Sequence, residues 1–142
     1  MKKLVFILLV ICLTGIACEK KEQSLKGTFW KLAGIMDVQT GILTELEPKD
    51  CEQCYTLIFI ADDTLVTWST TNSHRGIYNM DYKTNSFNII SLLGTLVGER
   101  GDGWKYVRSF CQVQSFSLKN KKKELKELWL YYDDEKKYLL FK

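Results

Sequence analysis

The sequence predicts a mainly β fold: a compact antiparallel, barrel-like domain of about seven or eight strands with one short helix near residues 103–112. Three observations carry this expectation. Short runs rich in β-branched and aromatic residues recur along the chain, and polar turns at Thr40-Gly41, Asp62-Asp63, residues 82–85, 119–123 and 133–136 separate them. Pro48 is the single proline, and no low-complexity stretch marks an internal boundary. Short strands at such spacing are those of a sandwich or barrel.

The elements follow in order. Phe29, Lys31, Ala33 and Ile35 alternate with Trp30, Leu32, Gly34 and Met36, which reads as a strand returning through Leu43 after the Thr40-Gly41 turn. Residues 55–61 and 65–68 form a second hairpin, and residues 77–81 and 87–90 a third around Tyr82-Lys83-Thr84-Asn85. Residues 98–103 are a glycine-rich loop. Asp102 at its end is placed to cap a short helix in which Trp104, Val107 and Phe110 recur every third residue. Residues 116–118, 125–132 and 138–141 then close the domain as a meander.

The chain ahead of the domain has a different character. Lys2 and Lys3 precede an apolar run over residues 4–13, and the small residues Gly15 and Ala17 lead to Cys18, the pattern of a secretory signal over residues 1–17. As a helix, residues 4–17 would rise about 21 Å at ~1.5 Å per residue, short of a hydrocarbon core of roughly 30 Å. Leu13-Thr14-Gly15-Ile16-Ala17-Cys18 resembles the lipobox at which bacteria acylate a cysteine, so Cys18 is the expected lipid attachment site. Cys12 competes, but the larger Ile11 precedes it. Three acyl chains, at ~0.8 kcal/mol per buried methylene, would hold the protein to a membrane effectively permanently. Residues 18–24 then serve as a polar tether and residues 25–142 as the domain.

Charge narrows the partners. The 20 basic residues lose Lys2 and Lys3 with the signal and then face 17 acidic ones, so the mature chain is close to neutral. No strongly basic field points to nucleic acid. The 142 residues less the signal leave about 125, enough for one domain with its own core, and a monomer is expected. Beyond Cys18 the mature chain has Cys51, Cys54 and Cys111, an odd number in a compartment that permits disulfides. A Cys51 to Cys54 bridge is worth ~2 kcal/mol and a bridge from either to Cys111 ~4 kcal/mol in chain entropy, and both pairings stay open.

Several motifs have the look of a known family. Gly27-Thr28-Phe29-Trp30-Lys31-Leu32, then Thr56-Leu57-Ile58-Phe59, Asn72, Gly76 and Tyr78, resemble the signatures of the META-domain family of heat-inducible outer-membrane lipoproteins. Leu128, Leu130, Leu139 and Phe141 stand where that family's last two strands carry core residues. Thr70-Thr71 replaces the family's usual glycine-cysteine before the asparagine, so its cysteine pairing does not transfer. The resemblance implies a small barrel-like fold packed with a short helix, an outer-membrane location and no established enzymatic activity.

The candidate sites are few. Cys51-Glu52-Gln53-Cys54 has redox spacing, but it runs into a strand and its acidic interior opposes thiolate formation, so a structural staple is favoured. Zinc would need Cys51, Cys54, Cys111 and His74 to converge with no second ligand pair, and no metal or cofactor is expected. His74, the single histidine, lies in a polar stretch and reads as an exposed loop residue. Asp62-Asp63 and Asp133-Asp134-Glu135 are turn carboxylates. Residues 98–103 lack the lysine and serine or threonine of a phosphate loop, and Glu99 and Asp102 would repel phosphate. Trp68, Asn72 and Trp104 are the residues best placed to line a cleft, with Trp30 and Trp129 expected in the core. Lys119, Lys121, Lys122 and Lys123, with Lys126 nearby, could touch anionic lipid, although a solvated turn is the simpler reading.

The leading expectation is a non-enzymatic, envelope-anchored lipoprotein module that binds a partner or serves the envelope under stress. A carrier of a small apolar ligand in a barrel cleft is the alternative. A thiol redox enzyme acting through Cys51 and Cys54 is the second.

Overall fold

The computed structural model describes residues 24–122 and 124–142. The expected signal over residues 1–17, the expected lipidation site Cys18, the expected tether up to residue 23 and Lys123 lie outside the described residues. Nine antiparallel strands are described: β1 (Phe29–Asp37), β2 (Leu43–Thr44), β3 (Thr56–Phe59), β4 (Thr64–Trp68), β5 (Ser73–Asp81), β6 (Ser86–Gly94), β7 (Ser115–Lys121), β8 (Glu124–Tyr132) and β9 (Lys137–Phe141). One helix, α1 (Gly103–Cys111), joins β6 to β7.

The strands pair in the order β2-β1-β3-β4-β5-β6-β7-β8-β9, and β1 also pairs with β9, so the sheet closes on itself. β1 carries the closure. Its first residues face β3, Ile35 and Met36 face the two-residue β2, and Leu32 to Asp37 face β9 on the other side. Eight strands thus form a ring and β2 is a ninth appended to it. Gly34 makes the junction possible, because a Cβ there would lie 2.6 Å from the Thr44 carbonyl oxygen.

Alternation dictates the inward face. Trp30 and Leu32 of β1, Leu57 and Phe59 of β3, Leu65 and Thr67 of β4, Leu128 and Leu130 of β8, and Leu139 and Phe141 of β9 are buried. Leu57, Phe59, Leu65, Phe87, Tyr106, Phe110, Leu128, Leu130, Leu139 and Phe141 have 0% exposure, so the middle of the ring is packed solid. Tyr78 stacks on Phe87 at 5.3 Å, and Phe59 meets both edge-on. The aromatic-lined interior cleft expected of a carrier is filled by the protein's own side chains.

Helix α1 begins at the expected residue and ends one short of the expected stop, but its register differs from the three-residue repeat. Tyr106 and Phe110 form the buried stripe, one turn apart, whereas Trp104 is 54% exposed. Asp102 stands at the N-cap without a side-chain cap bond; its carboxylate instead accepts a hydrogen bond from the Glu47 amide at 2.9 Å. β5 and β6 also run longer than their apolar runs suggest, because His74, Gly76 and Tyr78 alternate inward through a polar stretch.

Candidate functional site: an apolar groove and its supports

The outward face of β1, β3 and β4 carries an apolar row. Phe29 pairs with Ile58 and Ile58 with Val66, so three apolar side chains stand in a row across the strands, with Trp68 at the end of β4. Phe29, Thr56, Ile58 and Trp68 line an open groove of about 470 Å³ that Glu52 and Gln53 wall on one side. Phe29 is 61% exposed, so the groove presents an aromatic ring to solvent.

The wall is held firmly. Cys51 and Cys54 form a disulfide with an S–S distance of 2.03 Å, leaving Cys111 free and exposed at the end of α1. The Lys31 ammonium, projecting outward from β1 beneath this loop, donates to the carbonyls of Cys51 at 2.8 Å, Glu52 at 3.2 Å and Cys54. Burial pulls the Lys31 pKa below its ordinary value, and the neighbouring Glu52 carboxylate opposes that. The staple thus fixes Glu52 and Gln53 against the groove. The two bridged cysteines lie in a loop ahead of β3 rather than at a helix N-terminus, the setting that would acidify a reduced thiol there.

A second cluster occupies the end of the ring where β4 gives way to β5. Glu99, whose side chain is 1% exposed, accepts hydrogen bonds at 2.5 to 3.2 Å from the Ser69 hydroxyl, the Thr70 amide and hydroxyl, the Thr71 amide and the Asn72 side-chain amide. Burial alone would raise its pKa, but the bonds from Ser69, Thr70, Asn72 and Thr71 outweigh it and hold the carboxyl at about 2. Gly103 opens the space, since a Cβ there would meet a Glu99 carboxylate oxygen at 2.3 Å. Asn72 also donates to the Val97 carbonyl and accepts from the Thr95 hydroxyl and the Val97 amide, which pins the loop after β6.

His74 is buried on β5 rather than exposed in a loop. Its Nε2 has no hydrogen-bond partner and lies 4.0 Å from a Glu99 oxygen, beyond bonding distance. Burial lowers the His74 pKa, and the Glu99 charge works against that shift. The ring packs against Gly94, where a Cβ would fall 2.1 Å from Nδ1.

The three cleft candidates therefore separate. Trp68 lines the groove, Asn72 is a buried clip and Trp104 stands exposed on α1. Cys51, Cys54, Cys111 and His74 do not converge, and among the described residues no group of three or more His, Cys, Asp or Glu could hold a metal ion. Trp30 is buried as expected, whereas Trp129 is half-buried on the outer face, stacked on Tyr138 at 4.6 Å. Lys119 lies over the Trp129 ring at 4.5 Å, while Lys121 and Lys122 are exposed at the β7–β8 turn. The Glu99 cage had no local signal in the sequence, since its donors lie 27 to 30 residues away. The abundance of donors in Ser69-Thr70-Thr71-Asn72 was its nearest trace.

No protein-family model matches the chain. Its fold is similar to that of a DUF4847 family protein from Bacteroides vulgatus, with a TM-score of 0.63 at 14% identity, covering 84% of this chain and 94% of that one. It is similar also to a protein from Burkholderia xenovorans, with a TM-score of 0.62 at 17% identity over 82% of this chain and 81% of that one. In sequence it is similar to a Tannerella forsythia protein named as a lipoprotein, 31% identical over 140 residues that span 94% of this chain and 89% of the relative. With that identity sustained along nearly its whole length, the chain belongs to the family of this lipoprotein.

Proposed function

We propose that the protein is a non-enzymatic lipoprotein of the cell envelope, anchored through Cys18, that binds a partner protein on the apolar outer face of β1, β3 and β4. The observation that carries the reading is the groove itself: exposed Phe29 with half-buried Ile58 and Trp68 forms an aromatic and aliphatic cluster with a polar wall, the composition of a binding patch. The lipoprotein relative supports the envelope location. The motif likeness to META-domain lipoproteins supports the outer membrane and a part in envelope stress. The filled interior favours a protein partner over a ligand carried inside the ring.

A photo-crosslinking residue placed at Phe29 of the native lipoprotein is expected to capture a reproducible envelope protein, and Ile58→Asp to abolish the adduct. The same label at Asn79, exposed on β5, is the control. Equal capture from both positions, or no reproducible adduct at Phe29, would remove the reading.

A further inference from the structure

We infer that the lysine-rich turn between β7 and β8 is a second membrane contact, which lays its ammonium groups on the phosphates of anionic phospholipids in the bilayer that holds the lipid anchor. The inference rests on the lipoprotein reading for the position of the anchor. Its structural basis is where the chain leaves the ring.

The described chain starts at Ser24, whose hydroxyl meets the Asp62 carboxylate at 3.2 Å in the β3–β4 turn. The β5–β6 turn lies at the same end, because the Tyr78 amide donates to the Asp63 carbonyl and the Tyr78 hydroxyl to the Ala61 carbonyl. Ser24, Leu25, Asp62, Tyr78, Met80 and Tyr82 surround one cleft, and the Tyr82 ring meets Phe116 of β7 at 5.4 Å. β7 is antiparallel to β6, with Ser115 opposite Ser86 at the start of β6, so β7 runs towards this end; Phe116 and Leu118 still pack within the ring opposite Leu130 and Leu128, and Lys119 to Lys121 extend past the last β8–β9 pair, Leu128 and Phe141. The β7–β8 hairpin therefore overhangs the face from which the tether departs.

The lengths agree. The strand steps from Leu118 to Lys121 extend about 10 Å beyond the ring. The tether from Cys18 to Gln23 reaches at most about 20 Å when extended. Anchor and hairpin tip can thus lie in one plane.

Charge fits that plane. Residues 119–127 carry Lys119, Lys121, Lys122, Lys123 and Lys126 against Glu124 and Glu127. Lys126 is paired with Glu124 at 2.8 Å and Lys119 is engaged with Trp129, whereas Lys121 and Lys122 have no ion-pair partner among the described residues. Asp62, Asp63 and Asp81 share this end of the ring, but they sit at shorter turns or within a strand and the lysine hairpin projects past them. Two unpaired ammonium groups at a projecting tip are suited to lipid phosphates.

The test uses the mature chain carrying Cys18→Ser, so that no acyl chain masks weak binding. It is expected to sediment with vesicles of equal parts phosphatidylglycerol and phosphatidylcholine, to release in high salt, and to ignore pure phosphatidylcholine. Lys121→Ser with Lys122→Ser should weaken binding on the order of 25-fold, at about fivefold per lysine. Lys49→Ser, in the loop at the opposite end, should change nothing. Equal binding to both vesicles, or a double variant that binds like the parent, overturns the inference. A second arm measures lysine acetylation of the native lipidated protein, where Lys121 and Lys122 should be protected in the anionic vesicles and Lys49 not. The lipoprotein reading fails separately, on a native protein whose mass shows no acyl chains.

Discussion

Glu99 is the residue on which one end of the ring depends. A carboxyl held at about 2 against an ordinary 4.5 corresponds to about 3 kcal/mol of folding free energy at neutral pH. The sign follows from the depressed value: the unfolded chain binds the proton first, so the contribution is present above pH 4.5 and is lost as the pH falls towards 2. His74, lowered from 6.5 by burial, acts in the same direction and begins to cost stability below its ordinary value. Glu99→Gln should therefore lower stability at pH 7 by about 3 kcal/mol, since a side-chain NH2 would face donors already aimed at the carboxylate. It should also flatten the fall in stability between pH 4.5 and 2. Urea midpoints measured across that range would show both effects; an unchanged acid slope in the variant would assign the pH dependence elsewhere.

Elements whose inward residues alternate in plain view are legible in the sequence, and those whose burial depends on distant partners are not. β1, β3 and β4 are legible as strands from their runs of apolar and β-branched residues, and the structure buries Trp30, Leu32, Leu57, Phe59 and Leu65 from them. The start of β5 reads as a polar loop because His74 owes its place to Gly94 and Glu99, neither of them near it in sequence. Helix α1 is legible as an element but not in its rotation. Trp104 and Phe110 look equivalent as apolar residues, yet the Tyr106 hydroxyl bonded to Thr67 turns the Tyr106 and Phe110 stripe inward. Phe110→Ala should thus cost ~3–5 kcal/mol and Trp104→Ala no more than ~0.5 kcal/mol, read as shifts in denaturation midpoint. The reverse order would mean that α1 packs through its exposed face. Of the candidate site, the sequence exposes Trp68 and the cysteine spacing, but not Phe29 as an outward residue, because an aromatic at a strand start reads as core.

At the scale of the whole molecule the ring is uneven, and the unevenness coincides with the end at which Ser24 meets the β3–β4 turn. β5 and β6 share eight register pairs and β7 and β8 seven, whereas β6 and β7 meet at the single pair Ser86 and Ser115. Two flanking bonds, from the Phe87 amide to Gln114 and from the Phe116 amide to Asn85, complete that seam. Beyond it β6 and β7 share no further register pair, and α1 crosses from one strand to the other with Tyr106 and Phe110 buried. Opening there breaks few hydrogen bonds, while β9 remains paired to β1 along five positions on the other side. A local opening should then be available at a lower free energy than global unfolding. Native-state hydrogen exchange is the measurement: the Phe87 and Phe116 amides should exchange with little dependence on denaturant, while the Leu32 amide, bonded to Tyr55 across β1, should merge with global unfolding. If all three follow one isotherm, the ring opens only as a unit. If the seam yields first, the β7–β8 hairpin is the part of the ring freest to move, hinged on its pairing to β9, while the groove on β1, β3 and β4 stays in place.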